Sequence, residues 1–229
     1  MSGREAILGR IRQSLGAGAD DTARAATVAK RLSKPPKGII PARGQLDERG
    51  RVALFSTMAE QVFASVRHVK GADDVPKAVT EYLRSRNLPS SVRMGGDPRL
   101  AAMPWQKQKA LQVKSGPSDG EDEAGVSHAF GAVAESGTLV MTSGPENPTT
   151  VNFLPEHHIV IVDAGDIDGD LETVLAKVRK TYGKKRMPRT VNLITGPSRS
   201  GDIEQKLLLG AHGPRAVHII IVDGAEGPG

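Results

Sequence analysis

The 229-residue chain contains no cysteine. That excludes disulfides, a thiolate nucleophile and any cysteine-ligated zinc or iron–sulfur centre within it. Aromatic residues make up only 3 % of the chain: one Trp, two Tyr and four Phe. Stacking platforms for single-stranded nucleic acid are built from aromatics, so no nucleic-acid partner is expected. No apolar run approaches the roughly 20 residues of a membrane span, and the N-terminus has no apolar signal region. A cytoplasmic location without membrane contact is the expectation. No G-x-G-x-x-G follows a strand-like run, and neither G-x-x-x-x-G-K-[ST] nor H-E-x-x-H occurs. No metal and no cofactor are expected in this chain.

What is present is an aliphatic core and an uneven charge. Hydrophobic residues make up 38 % of the sequence, so Ala, Val, Ile and Leu must fill the interior. The net charge of +5 is carried by residues 1–51, which hold 11 Lys and Arg against 5 Asp and Glu. The rest of the chain is nearly neutral. Residues 1–50 therefore read as a helix and a basic extended arm, and 51–229 as one α/β domain. An arm of this kind either meets an acidic partner or is simply solvated along the body.

Ser2 and Glu5 have capping-box spacing ahead of Ile7, Leu8, Ile11 and Leu15, which recur at helical intervals. Residues 19–50, with Pro35, Pro36 and Pro41, predict an extended connection. Helices are expected over 51–65 and from Asp73 or Asp74 to Arg86, with Pro76 in the first turn. Strands are expected at 66–69, 91–94, 159–162, 190–195 and 217–222. Residues 126–142 read as a hairpin around Glu135-Ser136-Gly137, 167–182 as a helix, and 114–124 as a solvated acidic loop. Strands alternating with helices predict an α/β fold with a mainly parallel sheet flanked by helices.

The candidate site is the stretch Thr195 to Pro214. An apolar strand leads into Gly196-Pro197-Ser198-Arg199-Ser200-Gly201, and a helix is expected to open at Asp202 with Gln205 at its third position. A loop that delivers backbone N–H groups at a helix start is an anion site. In that arrangement Ser198 and Ser200 add hydroxyls and Arg199 a countercharge for a carboxylate or phosphate. Asp202 has a sufficient job as a cap. His212, in Gly210-Ala-His-Gly-Pro214, is either an acid–base group or a ring bonded to local carbonyls. Glu135 is the nominated general base or nucleophile, the alternative being a carboxylate that accepts turn N–H groups. His128, His157, His158 and His212 form a metal site only if the fold gathers them.

Four ordered segments resemble the LUD-domain family. They are Ala134-Glu-Ser-Gly-Thr-Leu-Val140, Leu154-Pro-Glu-His-His158, Gly196-Pro-Ser-Arg-Ser-Gly-Asp-Ile-Glu204 and Gly210 to Pro214. The N-terminal Arg4-Glu-Ala-Ile-Leu-Gly-Arg-Ile11 is similar to the family's opening helix. Ser200-Gly201 stands where Thr-Ala is usual, and Ser136 where Thr is common. The resemblance implies a NagB/RpiA/CoA-transferase-like fold. It also implies an accessory part in oxidising L-lactate to pyruvate, beside iron–sulfur partner subunits. A chain without cysteine fits that division of labour. The family supplies no assigned catalytic residues. Glu135, Ser136, Thr138, Ser198, Asp202, Glu204 and His212 are therefore carried as motif positions, with Glu135 and His212 as the catalytic candidates and a small anion as the ligand. Alternatives are a stand-alone enzyme of the CoA-transferase or sugar-phosphate-isomerase kind, and a non-catalytic scaffold.

Overall fold

The computed structural model describes residues 2–16, 21–34, 38–183, 186–203, 206–210 and 212–224, with the backbone alone described over 200–209. The chain divides into a compact unit ending at Ile39 and a second that begins at Ile40. In the first, α1 (Gly3–Ser14) has the expected start: Ser2 Oγ accepts from Glu5 N, and a Glu5 carboxylate oxygen accepts from Ser2 N at 2.7 Å. The extended connection expected after residue 19 is corrected by α2 (Thr22–Ser33), which is capped by Asp21 accepting from Arg24 N. Its Thr-Ala-Arg-Ala-Ala sequence is helix-permissive, and the prolines that discouraged a helix all lie beyond its end. Residues 40–50 belong with the second unit: a short 3₁₀ turn at Ala42–Gly44 leads into α3 (Glu48–Gln61).

The second unit is built on a six-stranded parallel sheet. Its strands are β1 (Ser65–Val69), β2 (Ser91–Met94), β3 (Gln112–Ser115), β4 (Ala124–His128), β7 (His157–Asp163) and β12 (Ala216–Val222), in the order β1-β12-β7-β4-β2-β3. A parallel sheet covered on both faces needs apolar residues pointing both ways. Accordingly β7 runs His-His-Ile-Val-Ile-Val-Asp and β12 runs Ala-Val-His-Ile-Ile-Ile-Val. Ile159, Ile161 and Ile220 point to one side, where α4 (Val75–Ser85) buries Val75, Val79 and Leu83. Val160, Val162, Ile219 and Ile221 point to the other, against Phe55 and Ala59 of α3.

That second face is completed by a four-stranded sheet. It comprises β5 (Gly131–Val133), β6 (Thr138–Thr142), β8 (Ile167–Asp168) and β9 (Val191–Ile194), ordered β8-β5-β6-β9. Period-two alternation again sorts its residues. Ala132, Leu139 and Met141 join the α3 side, while Val133 and Val140 meet Val174 and Val178 of α7 (Leu171–Tyr182). The strand expected at 190–195 is thus correct in position, but it is an antiparallel edge strand beside β6 and not a buried member of the parallel sheet.

Two further expectations fail. The helix expected over 203–209, with Asp202 as its cap, is replaced by two strands, β10 (Arg199–Ile203) paired antiparallel to β11 (Lys206–Leu209). The acidic loop is not wholly solvated. Asp122 has a side chain only 3 % exposed, 2.7 Å from Arg93 Nε and 3.4 Å from Lys114 Nζ, and it accepts from Ser118 Oγ at 3.0 Å. Burial alone would raise its pKa, but these donors outweigh it and hold the carboxyl below the usual range. Asp122→Ala removes the carboxylate from the partly exposed Arg93 guanidinium. It should cost about 2 kcal/mol of stability by chemical denaturation, the scale of a lost charge-assisted hydrogen bond, and a loss below 1 kcal/mol would show that the cluster does not hold β2 to β3. Among the described residues no helix is long and apolar enough to cross a membrane.

Candidate functional site

The turns at 196–198 and 210–214 come together as expected, through backbone pairing and not through a helix start. Ser198 N donates to Pro214 O at 2.8 Å, and Gly210 N donates to Ser198 O at 3.0 Å. Ser198 Oγ accepts from His212 N at 3.3 Å. The hydroxyl is thereby used to brace the two turns. Gly196 has φ +71°, and a Cβ there would lie 2.2 Å from Val62 O, so the turn lies directly on the end of α3.

With these turns a pocket of about 210 Å³ forms between β9, the start of β12 and the short helix α6 (Thr150–Phe153). Its walls include Phe153, Leu193, Ile194 and Val217, and its polar side chains are Asn152, Thr195, Ser198 and His212. Asn152 Oδ1 accepts from the buried Ser127 Oγ at 2.8 Å, which leaves its amide N–H₂ as the donor available to the pocket. His212 also lines an adjoining, more open cleft with Phe153, Glu156 and Arg215. A small apolar pocket with a few convergent donors is the usual form of a small-ligand site.

The other predicted residues are distributed differently. Arg199 is not waiting for an anion. It donates to Val62 O at 3.3 Å and lies 3.6 Å from the centre of the Phe63 ring, closing the C-terminal end of α3. Ser200 and Asp202 lie on β10, so the helix-cap role assigned to Asp202 and the helix-start anion site both fall. Glu204 lies outside the described residues. Ser136 and Thr138 share a hydrogen bond of 2.8 Å, and Thr138 is 2.8 Å from Thr195 Oγ1. This chain of hydroxyls ties the 135–138 turn to the start of the 196–198 turn.

Among the described residues, Glu135 is not in the lining of these two clefts. It is 9 % exposed. Its backbone N donates to Gly169 O, its Oε2 has no hydrogen-bond partner, and Arg43 Nε lies 3.9 Å away.

The histidines are not gathered either. His157 Nδ1 pairs with Tyr82 Oη at 2.9 Å, and His158 Nε2 with Ser127 Oγ at 3.1 Å. His128 Nε2 lies 3.5 Å from Asp163. That last pair belongs to a polar group that sequence reading missed, at the carboxyl ends of β2, β4 and β7. There Arg99 donates to Asp97 through Nε and Nη2 and to Ala129 O through Nη1. Burial would raise Asp97, but Arg99 and Asn147 hold it below the usual carboxylate range. Burial and the neighbouring Asp163 push Asp166 up, and burial with Arg99 pushes His128 down. The carboxyl edge of a parallel sheet is where α/β proteins bind ligands. The only local sequence signal there was Gly95-Gly96-Asp97-Pro98 after a strand.

Residues 52–222 match the LUD domain. The chain belongs to the LUD domain family. This LUD protein is 27 % identical over 236 residues to Lactate utilization protein C of Halalkalibacterium halodurans, a match covering 96 % of this chain and 98 % of that protein. Against Lactate utilization protein C of Geobacillus thermodenitrificans it is 38 % identical over 109 residues, and the match spans just under half of each, 46 % and 45 %. Among solved structures, a DUF162 family protein from Deinococcus radiodurans superposes with a TM-score of 0.55 at 18 % identity. It covers 78 % of this chain and 99 % of that one, which shows a shared fold. The LUD match includes the 135–138, 154–158, 196–204 and 210–214 segments.

Proposed function

We propose that this LUD protein is a cytoplasmic accessory subunit of an L-lactate oxidation system, working with partner subunits that carry the iron–sulfur clusters. The observation that carries the reading is the near full-length correspondence with a protein named for lactate utilization. The lack of cysteine supports the division of labour, since electrons need a carrier that thiolates of this chain cannot ligate. The 210 Å³ pocket beside Ser198 and His212 has the size and donor set for a short carboxylate, with Asn152 and His212 facing its oxygens.

Two measurements test this. Lactate-dependent dye reduction by the partner subunits should rise several-fold when this chain is added; equal rates with and without it would sink the subunit reading. Separately, lactate or pyruvate titrated into the isotope-labelled chain should shift resonances of Asn152 and His212. His212→Ala should weaken binding about 10-fold, as expected for losing a hydrogen bond to a charged group. Shifts confined to other regions would sink the pocket assignment and leave the subunit reading standing.

A further inference from the structure

A second cleft lies on the other side of α3, and no family motif touches it. Its volume is about 670 Å³. One wall is the face of α3 that carries Arg49, Val52 and Ser56, residues spaced so that they share one side of a helix. The opposite wall is the carboxyl edge of the parallel sheet, where β1 ends beyond His68 and β12 is followed by Asp223. Across it runs a continuous hydrogen-bonded line. Ser56 Oγ is 3.2 Å from His68 Nε2, and His68 Nδ1 is 2.9 Å from Asp223 Oδ1. A hydroxyl, an imidazole and a carboxylate in this order, each bonded to the next, form the arrangement that activates a serine nucleophile. The His68 and Asp223 side chains are 43 % and 44 % exposed, so the line is open to a substrate.

The proton positions follow from counting donors. Ser56 Oγ also lies 3.0 Å from Val52 O. When His68 carries both protons, Nδ1–H donates to Asp223, Nε2–H donates to Ser56, and the hydroxyl donates to Val52 O. When His68 is neutral, Asp223 holds the proton on Nδ1, and the hydroxyl turns to donate to Nε2. Only this second state can deliver the serine proton to the ring.

We propose that Ser56, His68 and Asp223 form an acyl-transfer site for esters or thioesters of short carboxylic acids. Ser56 Oγ bonds to the acyl carbon as its proton passes to His68 Nε2. The bond to the leaving oxygen or sulfur breaks, and His68 returns the proton to that atom. Water, deprotonated by His68 in turn, releases the acid and restores Ser56. Asp223 is a positioning residue that fixes the ring tautomer. Arg49 is the cation in the cleft, placed to take the negative charge that develops on the carbonyl oxygen. The charged side chains that line the cleft with His68 are Asp223 beyond β12 and Glu48 and Arg49 on α3.

The test uses the full chain and a fluorophosphonate probe, with the modified residue located by peptide mass spectrometry. Ser56 should be labelled. Ser56→Ala should abolish the labelling, and His68→Gln should slow it about 100-fold, the scale of a lost general base. Asp223→Asn should slow the labelling, and Asp223→Glu should restore part of the rate. Thr57→Ala, on the same helix but outside the cleft, should label as the unaltered chain does. Absence of labelling in the unaltered chain overturns the proposal without reference to any variant. So does labelling of Ser198 in place of Ser56, or an undiminished rate in a folded His68→Gln chain.

Discussion

Gly137→Ala should lower the unfolding free energy by about 3–4 kcal/mol. Two costs coincide there. Gly137 sits at φ +64°, a left-handed conformation that costs a residue with a Cβ about 1–2 kcal/mol. The new Cβ would lie 2.5 Å from Ala59 N, 2.6 Å from Met58 C and 2.8 Å from Ala59 Cα. All three atoms are backbone in the last turn of α3, where Ala59, like Phe55 one turn before it, is fully buried against both sheets. The helix cannot give way locally, so overpacking adds about 1–3 kcal/mol. Gly120→Ala is the internal control, because it is also left-handed, at φ +100°, but has nothing within 4 Å of the added carbon. Urea titrations of the two variants separate the costs. If they differ by less than 1 kcal/mol, the β5–β6 turn does not bear on α3 as described.

Acid should destabilise the protein well above the range of its carboxylates. His158 is fully buried, its Nδ1 has no partner, and burial lowers its pKa to about 3. His218 is 6 % exposed and stacks on Tyr82 with ring centres 4.2 Å apart. Its Nδ1 pairs with Ser65 Oγ, and burial, aided by Arg67 and Arg86, lowers its pKa to about 4. A histidine depressed in the folded state contributes nothing adverse above its unfolded pKa of about 6.5. Below that, the unfolded chain binds protons that the folded chain refuses, so stability falls as pH falls until the folded pKa is reached. Two such groups give a slope of about 2.7 kcal/mol per pH unit near pH 5, or about 4 kcal/mol between pH 7.5 and 5.0. His128 and His157, also lowered by burial, act in the same direction. Asp166, raised by burial and Asp163, acts against them. Denaturant midpoints across pH 5–7.5 provide the measurement, and a flat profile would mean that the two buried rings are already charged or hydrated. His158→Gln should remove about half of the slope.

The sequence was most legible where local chemistry and tertiary context agree. Ser91–Met94, the Ser2–Glu5 cap and the apolar runs of β7 and β12 were placed within a residue or two. Residues 199–209 were misread because Asp202 and a run of Lys and Leu satisfy helix rules as well as strand rules, and short apolar runs do not distinguish the two. Asp122 was misread because the cations that bury it, Arg93 and Lys114, come from two different strands. At the candidate sites, the joining of Ser198 to His212 was visible as two glycine-bearing turns. The line from Ser56 to Asp223 was not, since His68 and Asp223 are 155 residues apart and neither belongs to a motif.

The position of β12 bears on how the polypeptide reaches this state. It separates β1 from β7 and pairs with both, so Ser65 meets His218 and Ala216 meets His157. Until residues 216–222 leave the ribosome, β1 has no partner strand and β7 has one open side. Loop closure over about 150 residues must come before that pairing is rewarded, which makes such topologies slow to fold. Between the synthesis of residues 163 and 216 the nascent chain therefore holds the apolar side of β7 without its partner strand, the condition in which chaperone capture competes with aggregation.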